Sequence, residues 1–294
     1  MLMTNENEST FESYRPLMFA IAYRMLGSAM DAEDIVQEAF LRYRGAHNIE
    51  MPKAFLTTVV TRLCLDQLKS ARVQRESYIG PWLPEPLITS NTPFDNQYES
   101  ISLAFLVLLE SLTPLERAVF LLREVFDYDY GDIAHIVDKE EAACRQLFHR
   151  AKAHVAEHRP RFEASREEHR QMLERFMQAC VVGDLDGLTD LLAEDVVMTA
   201  DGGGKASTAT HPLHGANPVA RFWIGLMKRL TGAVSAEILE INGRPALFIR
   251  APESVGDSLV SFEMDAGKIR DFQVIRNPDK LHGIPPSETG DSGD

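Results

Sequence analysis

Between Phe11 and Leu63 the apolar residues return every three or four positions: Phe11, Tyr14, Leu17, Met18, Ile21 and Met25, then Ile35, Val36, Ala39, Phe40 and Tyr43, then Phe55, Val59 and Leu63. That period puts one stripe of each segment inward and predicts three helices, an all-helical unit reaching Glu76. Asp31 followed by Asp34 predicts a capping pair for the second helix. Pro52 suits the first turn of the third, where a backbone N–H has no partner to lose. From Ser77 to Tyr98 the chain is interrupted by Gly80, Pro81, Pro84, Pro86 and Pro93 and reads as an interdomain linker. A second helical unit runs from Glu99 to His158. In it Thr113-Pro114-Leu115-Glu116 forms a capping box with proline at the first helical position and turns Leu115, Ala118, Val119 and Leu122 inward. Two further helices, Tyr130 to Val137 and Glu140 to Val155, are separated only by Asp138 and Lys139, the tight spacing of a helix-turn-helix.

After Arg159-Pro160 the period changes. Met172, Leu173, Phe176, Met177 and Cys180 mark a helix ending near Gly183, and Leu185, Leu188, Leu191 and Leu192 mark another. Alternation then predicts strands over Val234 to Ile241, Pro245 to Arg250, Ser258 to Asp265 and Lys268 to Ile275, the last two joined by a turn at Asp265-Ala266-Gly267-Lys268. Helices first and antiparallel strands after predict an α+β domain. The tail from His282, rich in Pro, Gly, Ser and Asp, reads as disordered.

Length and charge narrow the picture. A chain of 294 residues predicts two or three units of ordinary size. Its net charge of −14 argues against a protein that coats nucleic acid indiscriminately, so local charge decides. Lys53, Arg62, Lys69, Arg72 and Arg75 face a single acid, Asp66, and the stretch from Lys139 to Arg161 is also basic. Cys64, Cys144 and Cys180 lie far apart among apolar residues, which suits a reducing cytoplasm. The longest strongly apolar stretch, Ile101 to Leu109, is too short to span a bilayer, and the polar start of the chain lacks a signal peptide's regions; a soluble, cytoplasmic protein is expected.

In the last helix of the second unit, Cys144, Leu147, Phe148, Ala151 and Val155 face inward and leave Ala142, Arg145, Gln146, His149 and Lys152 on the opposite side. Arg reads guanine and Gln reads adenine through paired hydrogen bonds, while Lys and His suit phosphate or base edges, so this face fits a DNA major groove. A solvated basic face is the alternative; the short turn and the bundle before it favour DNA.

The segment Asp31-Ala32-Glu33-Asp34-Ile35-Val36-Gln37-Glu38-Ala39-Phe40-Leu41-Arg42 resembles the polymerase-binding helix of extracytoplasmic-function sigma factors of the sigma-70 family. Pro52-Lys53-Ala54-Phe55-Leu56 through Leu63-Cys64-Leu65-Asp66-Gln67-Leu68 resembles their promoter-melting helix. The resemblance implies two all-helical sigma domains, residues 1–76 and 99–160, joined by the linker 77–98. It implies core RNA polymerase and promoter DNA as partners. Asp31, Asp34, Gln37, Glu38 and Arg42 would then meet the largest polymerase subunits. Asn48, Lys53, Arg62, Lys69 and Arg72 would meet the −10 element, and Arg145, Gln146, His149 and Lys152 the −35 element. Such a protein makes no bond and hydrolyses nothing. No cofactor or metal is expected, and no phosphate-cradling loop is present.

Residues 161–281 resemble the SnoaL-like group of the cone-shaped fold shared with nuclear transport factor 2-like proteins and ketosteroid isomerases. Three strings resemble the signature of the sigma-factor subgroup with a SnoaL-like extension. They are Trp82-Leu83-Pro84-Glu85-Pro86, Asp201-Gly202-Gly203-Gly204-Lys205 and Asn277-Pro278-Asp279-Lys280-Leu281. The resemblance implies regulation in cis. Trp82 in its proline frame suits docking, and the three glycines allow positive φ and close backbone approach. The competing reading is an enzyme or a sensor of an unknown small ligand. It would use a desolvated carboxylate among Asp195, Asp201 and Asp265, with His211 or His214 as partner. His211-Pro212-Leu213-His214 makes a poor metal site because no third ligand is evident.

Overall fold

A computed structural model describes residues 2–76, 78–89, 101–158, 164–229, 234–252 and 254–284, without the side chains of 2–7, 71–76 and 158. Residues 90–98 of the expected linker and 285–294 of the expected tail lie outside the described residues. The chain divides into two compact units. The first holds the helices up to His158 together with Trp82–Glu85; the second holds Ile79–Pro81, Pro86–Thr89 and the residues from Ala164 onward.

In the first unit, α1 (Leu2–Leu26), α2 (Ala29–Gly45) and α3 (Pro52–Glu76) bury Met18, Ile21, Met25, Val36, Ala39, Leu56, Val60 and Cys64 between them. The cap of α2 departs from expectation: Ser28, not Asp31, is its N-cap. Gly27 ends α1 with φ +70°, a conformation that favours glycine. This leaves Ser28 extended, its Oγ accepting from the Asp31 N–H at 3.2 Å. The remaining helices are α4 (Leu103–Glu110), α5 (Pro114–Phe120), α6 (Tyr130–Val137) and α7 (Glu141–His158). Thr113 caps α5 through the capping box, with Pro114 at its first position, and α5 runs on through a π turn over Leu121–Val125. Asp138, at φ 55°, makes the turn between α6 and α7. Cys144, Phe148, Ala151 and Val155 of α7 are buried and Leu147 is half-buried, as the period predicts. Arg117, 3% exposed, donates through Nη1 to Glu110 Oε1 and to the Met25 carbonyl, both at 2.5 Å, and ties α5 to α1 and α4. Burial lowers its pKa to about 10, so it stays charged at neutral pH.

The second unit places α8 (Arg166–Val182), α9 (Leu185–Leu191) and α10 (Ala216–Arg229) on one face of a six-stranded sheet. Its strands are β1 (Leu192–Asp201), β2 (Leu213–His214), β3 (Ser235–Ile241), β4 (Arg244–Arg250), β5 (Ser258–Asp265) and β6 (Lys268–Ile275), in the order β2-β1-β6-β5-β4-β3. A short α11 (Pro278–Leu281) follows. Phe176, Trp223, Phe262 and Phe272 form the aromatic centre of the core. The four expected strands form an antiparallel run, and Ala266 and Gly267, both at positive φ, make the tight turn between β5 and β6. Strand β1, which lies outside those four, pairs parallel to β6. No turn residue encodes that pairing, because β2, α10 and three strands separate the two partners. The α+β architecture with helices on one sheet face is the one that the SnoaL-like resemblance implies.

His169, 1% exposed, stacks on Phe262 with ring centroids 5.7 Å apart. Burial, followed by the nearby Arg244 cation, lowers its pKa, against the opposing pull of backbone carbonyls. A lowered folded-state pKa means that the unfolded chain binds more protons. The resulting stability is complete above the unfolded value of about 6.5 and is lost as pH falls below it. The unfolding midpoint of the second unit is therefore expected to drop between pH 7 and pH 5 in the wild type and to drop less in His169→Phe. Equal slopes in thermal melts would refute this.

Candidate polymerase and nucleic-acid interface

The outward face of α2 carries Asp34, Gln37 and Arg42, all exposed, with Asp31 and Glu38 half-buried at its margin. Glu38 Oε1 accepts from Arg42 Nε at 2.8 Å, one helical turn away. Two apolar side chains missed by counting charges share this face. Met30 and Leu41 are 57% and 54% exposed, at positions that fall in line with Asp34 and Glu38. Their signal was available, since they sit out of phase with the buried Ile35, Val36, Ala39 and Tyr43.

The residues expected at the −10 element scatter. Asn48, at φ 56°, turns the loop between α2 and α3 and is exposed. Lys53 Nζ lies 5.6 Å from the centre of the Tyr128 ring, and Lys69 pairs with Asp66 at 2.7 Å. Arg62 is turned towards protein: its Nε donates to the Ile136 carbonyl and its Nη2 to the His135 carbonyl, both at 2.9 Å, capping the C-terminus of α6. The Arg72 side chain lies outside the described residues.

The residues expected at the −35 element come together. Arg145, Gln146, His149 and Lys152 are all exposed on α7. The Arg145 guanidinium sits 4.4 Å from the Tyr130 ring centre and pairs with Glu141; Lys152 pairs with Glu124 at 3.0 Å. Arg123 approaches the same ring at 5.3 Å. Arg123, Tyr130 and Arg145 line a cleft of about 450 Å³ with Asp129, Gly131 and Glu141. Sequence reasoning passed over Arg123 and Tyr130, because neither belongs to the helix whose face it read.

The three strings fall in two places. Trp82 to Glu85 belong to the first unit: Leu83 is 1% exposed, and a Cβ on Gly27 would come within 2.8 Å of the Trp82 ring. Pro86 is buried and belongs with the second unit, where the chain past it follows the outer strand of the sheet. The Leu87 N–H donates to Asn242 Oδ1 at 3.0 Å and the Thr89 N–H to the Glu240 carbonyl at 2.9 Å, so this stretch of the expected linker is bonded. The other two strings meet each other in the second unit. Asp201, 0% exposed, accepts from Lys280 Nζ at 2.7 Å and from the Gly203 N–H at 3.0 Å, and Lys205 pairs with Asp279 at 2.5 Å. Gly203, at φ 59°, packs so closely on Asn277 that a Cβ would lie 2.4 Å from its Nδ2. Asn277 caps α11, with Pro278 at its first position, and Leu281 is buried behind it.

The carboxylates considered for an enzyme are engaged otherwise. Asp195 and Asp265 both lie near Arg270, at 3.5 Å and 3.2 Å, and Asp201 holds Lys280. The carboxyl pushed up by burial is Asp271, which the sequence did not single out. His211 and His214 are exposed. Among the described residues no three His, Cys, Asp or Glu side chains are grouped to hold a metal ion, and no helix is long and apolar enough to cross a membrane.

Comparison with known proteins matches the two helical halves to two separate family models. Residues 10–73 match sigma-70 region 2, and residues 102–155 match sigma-70 region 4. Over 95% of its length the chain is 38% identical to the ECF RNA polymerase sigma factor SigJ of Mycobacterium tuberculosis, 95% of which is covered. The chain belongs to the extracytoplasmic-function sigma factors. The probable sigma factor SigI of M. tuberculosis is 31% identical over 93% of the chain and 94% of its own length. The crystal structure of SigJ superposes with a TM-score of 0.79 at 35% identity, over 95% of this chain and 99% of that one. The likeness therefore extends through the α+β domain of this sigma factor as well as its helices. The relatives are sigma factors rather than enzymes.

Proposed function

We propose that this sigma factor binds core RNA polymerase through the outward face of α2, Asp31, Asp34, Gln37, Glu38 and Arg42 with the apolar Met30 and Leu41. It meets the −10 element through Asn48, Lys53, Lys69 and Arg72, with Arg62 holding α3 to the end of α6 instead of reaching DNA, and the −35 element through Arg145, Gln146, His149 and Lys152. The observation that carries this reading is the exposed cationic and amide face of α7, set beside a cleft where Arg123 and Arg145 both approach the Tyr130 ring. The Arg145 guanidinium held there suits a guanine edge and Gln146 an adenine edge, while Arg123, His149 and Lys152 suit the anionic backbone. The domain boundaries follow the same division, residues 1–76, 77–98, 99–160 and 161–281, in a cytoplasmic protein. The α+β domain regulates the helical domains in cis, with the paired strings around Asp201 and Lys280 as its structural anchor. It takes no part in catalysis.

The test is co-purification with core polymerase. The wild type is expected to be retained, and the double charge reversal Asp34→Arg/Glu38→Arg to bind at least about tenfold more weakly, a loss of roughly 1.4 kcal/mol. Retention of the reversed variant at wild-type affinity would remove the α2 assignment. Deleting the chain from His169 onward is expected to change transcriptional output while core binding persists.

A further inference from the structure

Helix α2 begins with backbone N–H groups that no turn of its own can satisfy. Ser28 serves one of them, at Asp31. Those of Ala29 and Met30 are served from a distant part of the chain: Glu85 Oε2 accepts from the Ala29 N–H at 2.8 Å and the Met30 N–H at 3.3 Å, and also lies 3.2 Å from Ser28 Oγ. The glutamate is held there on three sides. Its own N–H donates to the Gly27 carbonyl at 2.8 Å, its carbonyl accepts from Tyr23 Oη at 2.6 Å, and the Trp82 ring covers Gly27. Glu85 is 7% exposed.

We infer that Glu85 is a positioning residue for polymerase binding: its carboxylate completes the N-terminal turn of α2 and so pre-orders the face that carries Met30 and Asp34. This rests on the assignment of α2 to the polymerase in the proposed function. A carboxylate at a helix N-terminus both accepts from the orphan donors and complements the helix dipole. Without it the first turn frays in the free protein, and binding must re-order it. That cost falls on affinity rather than on overall fold. The strap residues Trp82 to Glu85 thus form part of the polymerase-binding domain instead of a passive tether.

The full-length chain carrying Glu85→Gln tests this, with Glu85→Ala beside it. The amide keeps the size of the side chain, loses the charge and turns a donor towards the helix. Core-polymerase affinity is expected to weaken about five- to tenfold, the scale of a lost cap. Hydrogen exchange at Ala29 and Met30 is expected to quicken, while exchange at the buried centre of α3 is unchanged. Val60→Ala, which removes buried volume from α3, is the control for a purely structural role. It is expected to lower the unfolding midpoint and leave affinity untouched at a temperature where both variants are folded. Wild-type affinity in Glu85→Gln overturns the inference, and so does an equal loss in Val60→Ala. If Asp34→Arg also binds like the wild type, the α2 assignment itself is wrong and this inference falls with it. If Asp34→Arg is defective and Glu85→Gln is not, only the role of Glu85 is refuted.

Discussion

Arg145→Ala is expected to lower transcription from a cognate promoter by about 10- to 100-fold, the range that corresponds to losing one bidentate base contact. The side chain is exposed on α7 and held over the Tyr130 ring, so its guanidinium is aimed before DNA arrives. Its ion pair with Glu141 is solvent-exposed, so giving it up costs little. Arg145→Lys separates base reading from phosphate neutralisation. Lysine keeps the charge and loses the planar fork, so it is expected to restore the salt dependence of binding without restoring promoter selectivity. Core-polymerase binding is expected to stay at the wild-type level in both variants. Unchanged promoter-specific transcription in Arg145→Ala would refute the placing of α7 against the −35 element.

The second large effect lies in the α+β domain. Lys280→Ala is expected to destabilise it by about 3–5 kcal/mol, because the substitution leaves the Asp201 carboxylate buried without its cation. Asp201 also carries the junction through its backbone: its carbonyl accepts from the N–H groups of Arg276 and Asn277. Strain introduced there reaches β6 and α11 together. The double variant Asp201→Asn/Lys280→Met is expected to recover most of the loss, since it removes both charges and keeps similar volume. Denaturant titration of the domain's unfolding transition measures this, and a loss below about 1 kcal/mol in Lys280→Ala would show the pair to be solvated. The exposed Lys205–Asp279 pair offers the functional counterpart. Its side chains are each 55% exposed, so Lys205→Ala leaves stability nearly intact and isolates any regulatory part of the string.

Local signals were legible wherever one residue type has one structural meaning. The capping box at Thr113, Pro114 at the start of α5, Gly183 at the end of α8 and the Ala266-Gly267 turn stand as read, because each is set within a few residues of itself. The cap of α2 was misread because Asp31 and Ser28 are both competent caps. The choice between them follows from where Gly27 ends α1. The helix over Ala216–Arg229 drew no expectation, although its apolar Val219, Ala220, Trp223 and Ile224 are buried at helical spacing.

The amino-acid sequence by itself determined the family, the two helical halves, the exposed face of α7 and the α+β character of the rest. These depend on periodicity and on short motifs, which act over one or two helical turns. Only the tertiary structure decided the parallel pairing of β1 with β6, the meeting of Asp201 with Lys280, the turning of Arg62 onto α6 and the capping of α2 by Glu85. Each joins residues separated by more than fifty positions. Contacts of that kind are selected by the packing of whole elements, and no local propensity encodes them.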